Sequence, residues 1–311
     1  MKKLFFFLGK GGVGKTTLAG SLAVYLSKCL SKVFIASIDP AHNLFDFLGV
    51  SAKSGPIEIS DNFIAEEIDV DLYVKKLLKE STQKMKKNYH YLQMINLENM
   101  FDVLKHSPGM EEYAMLCALE ELIDTWKSQV DYIVIDTPPT GLMLKIFFLP
   151  KTTLLWIEKL KKFRKKILER RSQLVHIKGK QGVGEDVACC EEEDRVFKEL
   201  ENQEKRSKEI LDIFSNPEIC KKILVVNYDE LSLREGIKII NELAQIDISI
   251  DLLVCNKKGI TDSILSDNDV ENIVDKFKSI KKVEIPFYRD YVTPRNKMIE
   301  IGKAFVKELL C

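Results

Sequence analysis

"FFFLGKGGVGKTTLAG", residues 5–20, runs from an apolar segment through a glycine-rich loop into a stretch of helical character. A strand before such a loop and a helix after it is the context in which glycines cradle phosphate. Gly9, Gly11, Gly12 and Gly14 let backbone N–H groups turn inward toward phosphate oxygens, and the helix adds its positive N-terminus. Val13 and Thr17 belong to the same cradle, Lys15 reaches the β- and γ-phosphates, and the Thr16 hydroxyl is placed to bind Mg²⁺. Lys10 is the unexpected residue, because two lysines cannot both sit below one γ-phosphate without repelling each other. The similar string "GKQGVGED" at 179–186 has no strand before it and no lysine at its end, so it reads as a loop.

Outward from the loop, apolar runs of strand length recur at Leu4–Leu8, Val33–Ile38, Tyr132–Ile135, Ile223–Val226, Ile250–Val254 and Lys282–Ile285. They are continuous rather than alternating, as expected of strands covered on both faces. Helices expected at Lys15–Cys29, Leu233–Gln245, Val270–Ser279 and Arg295–Leu310 fill the gaps. The fold class is therefore α/β, a doubly wound, mostly parallel sheet in one domain over residues 1–311. Two of the strands end in aspartate, in "VFIASIDPAHNL" and "DYIVIDTPPTG". Asp39 and Asp136 then emerge beside the loop, where a carboxylate can order a water on Mg²⁺ or orient an attacking one.

Two segments leave this rhythm. Residues 70–128 are helical in pattern, with Met94, Leu97, Phe101 and Leu104 on one face and Pro108-Gly109 as a break. Residues 151–215 are dense in charge, with the basic "KKFRKKILERR" at 161–171 and the acidic "EEED" at 191–194. Together they suggest a helical subdomain built from two insertions. The basic helix reads as a solvated face, or as a surface for anionic lipid or an acidic partner.

Lys+Arg and Asp+Glu number 47 each, so no global field points to nucleic acid. No apolar run approaches the roughly 18 residues that span a bilayer. The basic pair and five apolar residues at the start are followed at once by the glycine loop, too short a core for a signal peptide. A cytoplasmic protein is expected. Cys29, Cys117, Cys189, Cys190, Cys220, Cys255 and Cys311 form no C-x-x-C pair, so reduced thiols are the favoured reading.

These residues carry a resemblance. The loop K-G-G-x-G-K-T-T, with a lysine after the first glycine, resembles the deviant phosphate loop of dimeric ATPases that include MinD, ParA and the nitrogenase iron protein. Within that class "DPAHNL" and "DTPPTG" resemble the two switch segments of the arsenite-pump and tail-anchored-protein-targeting ATPase family. "SPGMEEYAMLCALEEL", "NYDELSLREGIKIINEL", "VCNKKG" and "EIPFY" fit later landmarks of that family.

The resemblance implies ATP and Mg²⁺ as cofactors and a homodimer in which Lys10 touches the nucleotide of the second copy, as an arginine finger does. It also implies a water-activating role for Asp39, a place near Mg²⁺ for Asp136, and a hydrogen bond from Asn256 to adenine. Pro286 and Phe287 match the adenine loop, and Asp229, or Glu230 one residue on, matches a contact to the second copy's nucleotide. Client-binding members use a methionine-rich groove for apolar membrane segments, and five of the eight methionines here (85, 94, 100, 110, 115) lie in the first insertion. Core packing is an equally good reading of those methionines. Cys255 stands alone, so the zinc clamp of some members is absent. A targeting ATPase leads, with a metalloid-pump subunit or a partitioning-type assembly switch as the alternatives. Cys189-Cys190 is a candidate soft-metal pair.

Overall fold

A computed structural model describes residues 1–41, 43–51, 53–88, 107–179, 188–259, 277, 280–288 and 295–309. Among them, eight strands form one sheet: β1 (Lys3–Leu8), β2 (Val33–Ser37), β3 (Ile57–Ser60), β4 (Phe63–Glu67), β5 (Tyr132–Asp136), β6 (Cys220–Asn227), β7 (Leu252–Lys258) and β8 (Lys281–Pro286). Their order is β3-β4-β2-β5-β1-β6-β7-β8. Every neighbouring pair is parallel except β3 with β4. The doubly wound α/β sheet read from the sequence is present.

The six expected strands are all found, and the reason for their unbroken apolar runs is visible in β1. Phe5, Phe6 and Phe7 are all fully buried, so successive side chains on opposite faces are both covered. Burying each ring contributes roughly 1.5–3 kcal/mol relative to exposure. β3 and β4 were not expected. β3 alternates between half-buried and exposed residues, as an edge strand does, and its four residues give too short a pattern to stand out.

The helices among the described residues include α1 (Lys15–Lys28), α2 (Leu44–Leu48), α3 (Val70–Asn88), α4 (Met110–Trp126), α5 (Thr140–Lys178), α6 (Arg195–Ser215), α7 (Glu230–Ala244) and α8 (Arg295–Leu309). α1 and α8 share the main core with β1, where the Phe7 and Phe305 rings meet edge to face at 6.0 Å. α3 and α4 pack through Val74, Leu78 and Ala114, with Met110 against them. Glu121 of α4 accepts from Tyr73 Oη at 2.5 Å and from Lys76. Met115 is buried, so the two methionines of the first insertion whose side chains are described serve packing. Met94, Leu97, Phe101 and Leu104, the helix at 270–279 and most of the 179–186 string lie outside the described residues.

The residues group into two compact units, Met1–Ile146 with Ser215–Cys311, and Phe147–Phe214. In the second unit α5 carries an unexpected apolar face: Trp156 (63 % exposed), Leu160, Phe163 (64 %), Leu174 and Ile177 (78 %) recur at helical spacing. By length and composition α5 also contains a window, within Thr140–Ile177, apolar enough to cross a membrane, and 39 % of that window is buried inside the protein. This corrects the expectation that no stretch reaches that length. Within residues 140–157 the charged residues are Lys145 and Lys151.

The basic stretch of α5 is answered from within the chain. Arg164 donates to both carboxylate oxygens of Asp194, at 3.0 and 2.6 Å, and Asp194 also caps α6 by accepting from Phe197 N–H at 2.7 Å. Lys161 pairs with Glu204 and Glu201, and Lys165 with Glu191. Arg164→Met strands the buried Asp194 carboxylate and is expected to destabilise the second unit by about 3 kcal/mol. Faster amide exchange across residues 195–215 is the measurement, and Asp194→Asn added to Arg164→Met should recover part of the loss.

Candidate nucleotide site at the phosphate loop

β1 ends at Leu8 and the chain turns through Gly9–Gly14 into α1. Two glycines here have no substitute. Gly9 sits at φ 144° with the place of a Cβ 2.3 Å from Val225 O of β6, and Gly14 at φ 99° with that place 2.6 Å from Asn256 Nδ2. Four carbonyls of the loop accept from side chains. Lys15 Nζ donates to Gly9 O at 3.1 Å and Lys10 O at 3.2 Å. Asn256 Nδ2 donates to Val13 O at 2.7 Å, and Lys257 Nζ to Gly12 O at 2.9 Å.

The other side of the loop is acidic. Asp136, at the end of β5, accepts on Oδ2 from Thr16 Oγ1 at 2.8 Å and from Ser37 Oγ at 3.1 Å. Its Oδ1 is buried with no partner among the described residues. Burial pushes the carboxyl up to about 6, against the pull of Thr16, Lys15 and Ser37. Burial likewise holds Lys15 below its ordinary value, opposed by Asp136, Asp39 and Glu235. A hydroxyl beside a carboxylate with one oxygen unsatisfied is an oxygen donor set that suits a hard cation such as Mg²⁺.

Asp39 follows β2, half-buried, with its N–H donating to Ser37 Oγ at 3.3 Å and its Oδ1 accepting from Ala41 N–H at 3.0 Å. Its Oδ2 has no hydrogen bond among the described residues. Lys10 is half-buried, and among the described residues its ammonium makes no hydrogen bond or ion pair. Gly11 and Gly12 are exposed at the tip, while Thr17 continues into α1, its carbonyl accepting from Ser21 Oγ at 2.7 Å.

The remaining expected residues are placed as follows. Asn256 is buried near the end of β7, donating to Val13 O at 2.7 Å and accepting on Oδ1 from Lys257 N–H at 2.9 Å. Pro286 ends β8, and the half-exposed Phe287 donates its N–H to Lys258 O at 2.9 Å. Asp229 caps α7, accepting from Ser232 N–H at 2.8 Å, and Glu230 pairs with Arg234. Among the described residues no hydrogen bond links Asp229 or Phe287 to the loop. Sequence reasoning missed Ser37 and Lys257. Ser37, two residues before a strand-end aspartate, was the findable one.

A glycine loop between β1 and α1, with Lys15 behind it and carboxylates leaving β2 and β5, defines a phosphate-loop nucleoside triphosphatase. The model of the anion-transporting ATPase family matches residues 2–307. The chain belongs to that family and is an ATPase, and the resemblance read from the motifs holds along its length. It is 29 % identical over 310 residues to "Putative arsenical pump-driving ATPase 2" of Aquifex aeolicus, covering 97 % of this chain and 98 % of that one. It is 30 % identical over 259 residues to "ATPase get3" of Schizosaccharomyces pombe, covering 82 % of this chain and 73 % of that one.

The difference between 3.8 and about 6 at Asp136 corresponds to roughly 3 kcal/mol in favour of the protonated form. A carboxyl raised in the folded state contributes stability below its unfolded value, and that contribution is lost as pH rises through the folded one. Asp136→Asn is therefore expected to raise the melting temperature of the nucleotide-free protein at pH 7.5, with the gain shrinking as pH falls through about 6. Thermal denaturation across that range tests it.

Proposed function

We propose that this ATPase works as a homodimer switched by nucleotide and dependent on Mg²⁺. In this reading Lys15 leaves the carbonyls of Gly9 and Lys10 for the β- and γ-phosphates, and Asp39 orients the attacking water. Thr16 and Asp136 hold Mg²⁺, which neutralises charge on the phosphate oxygens when bound. Asn256, with Pro286 and Phe287, addresses adenine, and Asp229 contacts the second copy's nucleotide. The single observation that carries the dimer is Lys10, a half-buried cation without a partner among the described residues, on a loop whose phosphate cation is already supplied. Acting across to a second copy gives it a counter-charge.

Mixing two inactive variants tests this. Lys10→Ala and Asp39→Asn should each hydrolyse ATP at least about a hundredfold more slowly. In a mixed dimer the site with intact Asp39 belongs to the Lys10→Ala copy and receives a normal Lys10 from the other. Activity is then expected to return to at most about half per dimer. No recovery, with mixed dimers shown to form, removes Lys10 from a role in trans.

We further propose that the protein, acting from the cytoplasm, handles apolar segments of membrane proteins. The exposed face of Trp156, Leu160, Phe163, Leu174 and Ile177 supports this, since so many large apolar side chains in one stripe are an unusual surface for a soluble helix. Trp156→Glu combined with Phe163→Glu should weaken capture of a transmembrane-segment peptide about tenfold, and undiminished capture removes this face from the reading. The alternative, an energising subunit of a metalloid pump, rests on the arsenical-pump names of relatives. Hydrolysis stimulated by arsenite, but not by an apolar peptide, is the result that favours it. An assembly switch of the MinD or ParA kind is the third reading, favoured if neither ligand stimulates turnover and ATP drives higher-order assembly.

A further inference from the structure

Lys257 adopts a left-handed backbone, φ 57°, within β7. The other described non-glycine residues with positive φ, Leu30 and Asp247, lie just past the ends of α1 and α7, where a left-handed residue commonly closes a helix. Inside a strand that reason is missing, and a side chain with a Cβ is disfavoured there. The pairing of β7 with β8 shifts register between Cys255 and Lys258, around this residue. Consecutive strand residues point to opposite faces, yet Asn256 and Lys257 both bond the phosphate loop, at Val13 O and Gly12 O. The left-handed turn is what sends both side chains the same way.

We propose that Lys257 is a positioning residue for ATP: its ammonium holds the outward carbonyl of Gly12 and so keeps the tip of the loop with its N–H groups toward phosphate. The inference rests on the reading of this loop as the ATP site. Its weight falls on the loaded state. Lys15 cannot serve both the nucleotide and the carbonyls of Gly9 and Lys10, so on binding the restraint of the loop passes to Asn256 and Lys257. Lys257 also brings a positive charge to the tip, at Gly12 O, apart from the carbonyls that Lys15 holds.

The test separates the turn from the latch. Lys257→Gly and Lys257→Asn both accept the left-handed backbone more readily than lysine but cannot reach Gly12 O as an ammonium. They are expected to melt no lower than wild type without nucleotide, yet to bind fluorescent ADP about tenfold more weakly. The KM for ATP should rise by more than kcat falls, and Lys257→Arg should recover most of the affinity. ADP binding by the Gly and Asn variants within about twofold of wild type would overturn the latch, as would an Arg variant no better than Asn. Wild-type protein unable to bind ADP overturns the ATP-site reading beneath it, a result distinct from wild-type-like binding by the variants.

Discussion

Turning a row of backbone N–H groups toward a bound anion leaves the matching carbonyls facing outward, and a loop keeps that shape only if they find donors. In this protein Lys15, Asn256 and Lys257 meet that requirement at Gly9, Lys10, Gly12 and Val13. The sheet order follows the same division. β6 and β7, on one side of β1, bring the carbonyl against Gly9 and the two side chains that bond the loop. β5 and β2, on the other side, bring Asp136 and Ser37 and lead into Asp39. One flank shapes the cradle and the other carries the acid groups.

The charges in this cradle are held at a disadvantage. Burial works against the ammonium of Lys15 and against the carboxylate of Asp136 at once, and each is partly supported by the other. An incoming triphosphate supplies a counter-charge for the first, and a cation one for the second. Two ligands arriving together relieve both burdens, whereas either alone relieves one. In the proposed Mg²⁺-dependent reading, that is a physical reason for nucleotide and metal to bind cooperatively.

The strands and the loop were legible because they obey local rules: continuous apolar runs and glycines before a lysine. What escaped depends on tertiary partners. β3 is short and half-exposed and β4 has only two buried residues, so neither shows a continuous apolar run. The run "KKFRKKILERR" looked like a free basic surface until Glu191, Asp194, Glu201 and Glu204 were seen facing it. The apolar face of α5 flanks and crosses that same run, and lysines between Trp156, Leu160 and Phe163 mask its spacing. Lys257 could not be read at all, because "NKK" gives no sign of a left-handed residue. Asn256 was placed at the site by resemblance, yet its hold on Val13 O is a contact between positions 243 apart in the chain.

The ends of the sheet bear on how copies of this chain can meet. β3 presents Glu58 and Ser60 exposed at one edge, and β8 presents Lys281, Lys282 and Glu284 at the other before ending in Pro286, which has no N–H to offer. Charged side chains and a proline are what deters a neighbour's strand from zipping onto an open ladder. Among the described strands, continuous sheets across two molecules are thus disfavoured at both rims. The proposed pairing of two copies falls instead to surfaces made of helices and loops, which can part and rejoin without unpicking a hydrogen-bonded strand.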